Sequence, residues 1–138
     1  MTYNEKDNGR GQSLVEVALV LPVLLMLLLG LVDFGRVYYV TVSLYDAAEE
    51  GAVYAAAYPD DLSGIQLRAQ EATSNLITLA VDNVAGPVFE TDPPQAGTAV
   101  TVTVTYDFQF YTPMANVFFP DSTVMLRGEA VTAVIGGS

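Results

Sequence analysis

The 138-residue chain sets 16 Asp and Glu against 5 Lys and Arg, a net charge of −11, and has neither cysteine nor histidine. That balance repels nucleic-acid phosphates and anionic headgroups, and the missing thiols and imidazoles exclude disulfides, thiolate chemistry and His-based acid–base catalysis. The length accommodates one apolar anchor and one small domain.

Lys6 and Arg10 precede an apolar run from Leu14 to Val32 in which Val17 to Val32 carries no charge. As an α-helix this run spans about 28 Å at roughly 1.5 Å per residue, close to the hydrocarbon thickness of a bilayer. From residue 37 onward only Arg68 and Arg127 stand against twelve carboxylates. The positive-inside rule then predicts a cytoplasmic N-terminal arm and an extracytoplasmic remainder. A cleaved secretory signal would be shorter and end at a small-x-small site, whereas this run passes into Asp33-Phe34-Gly35-Arg36 and more helical sequence. Pro22 inside the run predicts a kink.

Past the run, Val37, Val40, Leu44, Ala47, Gly51, Tyr54 and Tyr58 recur every three or four residues, with Asp46, Glu49 and Glu50 off the stripe. One continuous helix from about Ser13 to about Ala57 follows, closed by Pro59. Ala47, Gly51 and Ala55 permit close backbone approach and are candidate subunit contacts.

Glu16 lies three residues into the apolar run, where insertion scales put a central acid near +3 kcal/mol. Either it stays wet near the headgroups and complements the helix dipole, or the carboxylate has a task. Arg10-Gly11-Gln12-Ser13-Leu14-Val15-Glu16 places a glycine five residues before it, at the edge of the only N-terminal apolar helix. This fragment resembles the class III signal of type IV pilins and pseudopilins. The ordered blocks Val15-Glu16-Val17-Ala18-Leu19-Val20-Leu21-Pro22, Asp33-Phe34-Gly35-Arg36 and Asp46-Ala47-Ala48-Glu49-Glu50-Gly51-Ala52 extend the likeness. Together they resemble the TadE-like family, pilin-like proteins of Tad (tight adherence) pilus systems, over residues 10–58.

The resemblance implies cleavage between Gly11 and Gln12 by a prepilin peptidase. Glu16 would then be the fifth mature residue, where it docks a neighbouring subunit by pairing with its terminal amine. It implies other pilin-like subunits and Tad inner-membrane assembly proteins as partners, beside the lipid bilayer, and a single-pass location in the bacterial cytoplasmic membrane or a surface pilus. One departure is Glu49, where the family often has arginine.

Further along, Ile65, Ala69, Ala72, Leu76 and Leu79 predict a second helix, capped by Ser63 and closed before Gly86-Pro87. After a turn-rich stretch from Thr91 to Gly97, Val100, Val102, Val104, Tyr106, Phe108 and Phe110 alternate with polar residues as in an amphipathic strand. A second strand from Thr123 to Ile135, with Arg127 and Glu129 on its outer side, should pair antiparallel to it. Between them Met114, Val117, Phe118 and Phe119, flanked by Pro113 and Pro120, form a loop too apolar for a solvated connection. It packs on the core, touches another subunit or dips into the membrane surface, which makes Phe118 and Phe119 candidate contacts.

The expected fold is α+β and pilin-like: a leader over 1–11, a long helix over 12–58 with about 14–32 in the membrane, and an extracytoplasmic domain over 59–138 holding a second helix and an antiparallel sheet. Glu49-Glu50 and Asp60-Asp61 have no acid–base context, so no enzyme is expected, and no cofactor. Asp60-Asp61 with Ser63 lacks EF-hand spacing, so no metal is expected. A pilin-like structural or assembly subunit accounts for Gly11, Glu16 and the long helix together. The competing reading is a permanently anchored binding or adhesion module using the apolar loop and Tyr54, Tyr58, Tyr106 and Tyr111.

Overall fold

A computed structural model describes residues 8–73, 77–113 and 115–135. Helix α1 runs from Asn8 to Ala57 and continues through Pro22. It is already formed at Asn8, about five residues before the apolar pattern predicts. Helix α2 spans Leu62–Glu71, and strands β1 (Val84–Phe89), β2 (Ala99–Gln109) and β3 (Thr123–Ala133) follow. The three strands form one antiparallel sheet in the order β1-β2-β3. The architecture is α+β, as the sequence predicts.

Along α1 the environment changes at one residue. Positions 11–32 are exposed on nearly every side, whereas from Asp33 onward a single face is buried through Val40, Leu44, Ala47, Ala48, Ala52, Ala55 and Ala56. That stripe packs across β2 and β3, whose Val100, Val102, Val104 and Phe108 are fully buried. Strand β2 meets α1 head to tail. Val102 lies beside Gly51, while at the other end Gln109 accepts from Arg36. β3 returns in register with it, Val104 opposite Gly128 and Gln109 opposite Thr123. The β2–β3 connection therefore lies at the end of the domain nearest the apolar half of α1. At the opposite end the N–H of Ile135 donates to the carbonyl of Ala56 at 2.9 Å, tying the end of β3 to the end of α1.

Three expectations for the distal region need correction. The second helix ends at Glu71, not before Gly86. The N–H and hydroxyl of Thr73 both turn onto the Gln70 carbonyl, and Leu79 is buried from non-helical chain, with its carbonyl accepting from Gln70 Nε2. Leu76 lies outside the described residues, as does Met114. The cap of α2 is Asp61 rather than Ser63: Asp61 accepts from the Gly64 N–H at 3.0 Å and the Ser63 hydroxyl at 2.8 Å. Finally, Gly86-Pro87 sits inside β1, where the register shifts between Ala85 and Val88. Proline is tolerated there because β1 is an edge strand and the irregularity spares the ladder a missing donor.

Two glycines sit at close helix–sheet contacts, and at Gly128 a side chain has no room. A Cβ on Gly51 would stand 3.2 Å from Val102 Cγ1 and 3.4 Å from Ala69 Cβ, so α1, α2 and β2 meet there at near-backbone distance. A Cβ on Gly128 would overlap the backbone carbonyl of Leu44 and lie 2.8 Å from its Cβ. Ala47, Gly51 and Ala55 are thus buried in the chain's own core, and the close approach they permit is made within the protomer.

Candidate functional site

The apolar half of α1 is the first part of the site. Its most apolar 18-residue window has a mean hydropathy of 2.8, and 0% of that window is buried. A core helix of comparable hydropathy would be covered by protein; this one exposes Leu14, Leu19, Leu27 and Leu31 by about two thirds or more of their surfaces. In water such a surface would be an association site. At about 28 Å it matches a bilayer, and a helix satisfies nearly all of its own backbone there.

Gly11, Gln12 and Glu16 are exposed on this helix, and a Cβ on Gly11 would meet nothing within 4 Å. Glu16 heads a shallow apolar surface made with Val17, Val20, Leu21 and Leu24. Pro22 follows on the same helix; lacking an N–H, it leaves the Ala18 carbonyl without its usual partner one turn on. The geometry thus places Gly11, Gln12, Glu16 and Pro22 on one rod, away from the folded domain.

At the first residue beyond the apolar run lies a polar junction. Asp33 is only 2% exposed. Its carboxylate accepts from the Tyr111 N–H at 2.9 Å, the Thr112 N–H at 2.7 Å and the Thr112 hydroxyl at 2.7 Å, and pairs with Arg36 Nη1 at 3.0 Å. Arg36 in turn donates to the Gln109 carbonyl at 3.3 Å and lies over the rings of Tyr111 and Phe108, 3.8 and 4.7 Å from their centroids. A buried carboxylate is tolerated only when its lone pairs are filled, and here four donors fill them. The junction fixes the start of the β2–β3 connection to α1 one residue above the span.

The connection itself is split. Ala115 is buried and Phe119 stacks on Phe110 at 4.8 Å, while Phe118 is 77% and Val117 68% exposed. The turn back into β3 uses Asp121 and Ser122 at φ of 55° and 54°, and the Phe110 N–H donates to the Ser122 carbonyl to close it. Phe119 thus serves packing, and Phe118 points outward.

At the far end of α1, Tyr54 donates to Asp61 at 2.9 Å and lies 5.0 Å from the ring of Tyr58. The Gly64 N–H first, then the Ser63 and Tyr54 hydroxyls, hold the Asp61 carboxyl below the usual aspartate range. The same hydrogen bond to Asp61 pushes the Tyr54 hydroxyl up. Because the Asp61 value is depressed on folding, its contribution is present above the ordinary aspartate pKa of about 3.9 and lost as pH falls through the lower folded value. Because that of Tyr54 is raised, its contribution is present below about pH 10 and lost as pH rises through the folded value. The α2 cap should therefore hold across neutral pH and loosen at both extremes. In thermal melts taken against pH, Asp61→Asn should flatten the acid limb; an unchanged acid limb would contradict this assignment.

Asp61 is engaged as a cap, and among the described residues no group of three or more His, Cys, Asp or Glu side chains is placed to hold a metal ion. Glu49 and Glu50 are exposed on α1, and Glu50 shares a hollow with Asp46, Arg68 and Glu71. In the sequence Asp33 and Arg36 stand out only as part of a block, with no role of their own. The signal available was a carboxylate and a guanidinium one helical turn apart, immediately after an uncharged span.

No curated protein and no solved structure matches the chain. The TadE-like protein family model matches residues 11–53, about a third of the chain, from the candidate scissile glycine to the buried stripe of α1, and over that segment the chain is similar to TadE-like proteins.

Proposed function

We propose that the chain is a pilin-like structural or assembly subunit, a minor pilin or pseudopilin, of a Tad-type pilus or secretion apparatus, and that a prepilin peptidase matures it between Gly11 and Gln12. In this reading the N-terminal arm is cytoplasmic, the distal α+β domain is extracytoplasmic, and other pilin-like subunits and Tad inner-membrane assembly proteins are the partners. The observation that carries it is Glu16, an exposed carboxylate on an otherwise apolar rod, five residues after Gly11 inside the matched segment. A carboxylate in lipid is best neutralised by a neighbour's terminal ammonium, so its desolvation cost favours assembly in one axial register. The arm supports cleavage as well: Gly11 is exposed on α1, and glycine costs a helix about 1 kcal/mol relative to alanine. The scissile segment can therefore unwind into a peptidase at low cost.

The anchored binding-module reading gains little from the structure. Tyr54 and Tyr58 lie at the far end of α1, whereas Tyr111 lies over Arg36 at the near end, about 27 Å apart along the helix at 1.5 Å per residue. The tyrosines thus form no single gripping face. Gly11→Leu is expected to block maturation, and Glu16→Ala to allow cleavage while abolishing assembly, read by intact mass, crosslinking and pilus formation. Normal assembly of both variants would leave Glu16 as an interfacial residue and contradict the proposal.

A further inference from the structure

The β2–β3 connection presents an apolar tip that the subunit reading leaves unused. Val117 and Phe118 are exposed by 68% and 77%, Tyr111 by 65%, a costly arrangement for a loop in water. Its position is fixed by the hydrogen bonds from Tyr111 and Thr112 to Asp33, the first residue after the uncharged span. The strands that carry it run toward the span, because β2 descends from Gly51 to Arg36 and β3 climbs back. On α1 itself, Phe34 and Tyr38 are 71% and 68% exposed at the same level. Exposed aromatics just past an apolar span are the pattern of a membrane–water belt.

We propose that this tip is a second membrane contact: Val117 and Phe118 insert into the outer boundary of the bilayer that α1 crosses, with Tyr111, Phe34 and Tyr38 at headgroup level. The inference rests on the transmembrane reading of α1. Its occupant is lipid rather than a second copy because Tyr111 and Thr112 tether the loop to Asp33, the residue at which the exposed apolar surface of α1 ends. Such insertions reach about 5–10 Å, into the headgroup and acyl boundary. The contact would hold the domain at a fixed tilt over the membrane before assembly, and extraction of the subunit would have to release it.

The chain has no tryptophan, so single replacements report their own surroundings. Phe118→Trp, Val117→Trp, Leu25→Trp and Tyr58→Trp would each be placed in the full chain and reconstituted into phosphatidylcholine vesicles with brominated acyl chains. The proposal predicts a blue shift and loss of emission at 118 and 117, stronger loss at 25, and none at 58. Quenching at 25 without quenching at 117 and 118 overturns the loop contact and leaves the anchor standing. A blue shift at 118 without bromine quenching, strengthening with protein density, assigns the tip to another subunit and also overturns it. Absence of quenching at 25 removes the anchor reading and the loop contact with it. Unchanged thermal melts of the 117 and 118 variants confirm that the probes sit on a folded domain.

Discussion

Asp33→Ala is expected to lose about 3 kcal/mol of stability, because it leaves two backbone N–H groups, a hydroxyl and the Arg36 guanidinium without their buried acceptor. All four donors converge on this one carboxylate at 2.7–3.0 Å. For a domain of this size such a loss lowers the melting temperature by more than about 10 °C. The measurement is the near-ultraviolet circular dichroism melt of the full chain in detergent micelles, which follows the aromatic domain and not the micelle-held helix. Asp33→Asn keeps one acceptor oxygen and should fall between. Cleavage of the 111–119 connection by a protease should accelerate in parallel. A melt of Asp33→Ala within about 2 °C of the parent would show that the junction contributes under 1 kcal/mol and that the loop is held elsewhere.

Gly128→Ala should cost about as much by a different route. The added methyl would overlap the Leu44 carbonyl, and the obstruction is helix backbone rather than a side chain that can swing away. Either β3 moves off α1 or the helix bends, and overpacking of this kind costs about 3 kcal/mol at its upper end. Gly51→Ala tests the argument by contrast. Its nearest obstacle is a valine methyl at 3.2 Å, which can give by a few tenths of an ångström, so a loss under about 1 kcal/mol is expected. If the two alanine variants melted together, helix–sheet distance would not be the limiting factor at Gly128.

Long-period features of this chain are legible in its sequence. The apolar span, the stripe from Val40 to Ala55 and the alternation of β2 each repeat over ten or more residues, so one misleading position does not hide them. The two-strand pairing follows from the same alternation. What escaped detection depends on single residues meeting across long sequence separations. Gly128 reads as a weak point in a strand until Leu44 is seen against it. Asp33 reads as the end of an apolar run until residues 111 and 112 are seen donating to it. β1 contains Gly86 and Pro87, both strand breakers in isolation, and only its edge position makes them admissible. The spacing overextends the short α2 because Leu79, buried from non-helical chain, continues it by chance. Of the candidate site, the Gly11–Glu16 spacing that the proposal uses can be read in the sequence because the pattern is local. The clamp at Asp33 and the outward aim of Phe118 cannot, since both depend on where β2 ends.

The central claim is that a TadE-like rod is matured and then docked through its Glu16 carboxylate. The most direct test is the intact mass of the chain extracted from its native membrane in the presence of the cognate peptidase. A chain that begins at Gln12 and lacks residues 1–11 is the predicted result; a chain retaining its Met1 arm in cells that process other prepilins would contradict it.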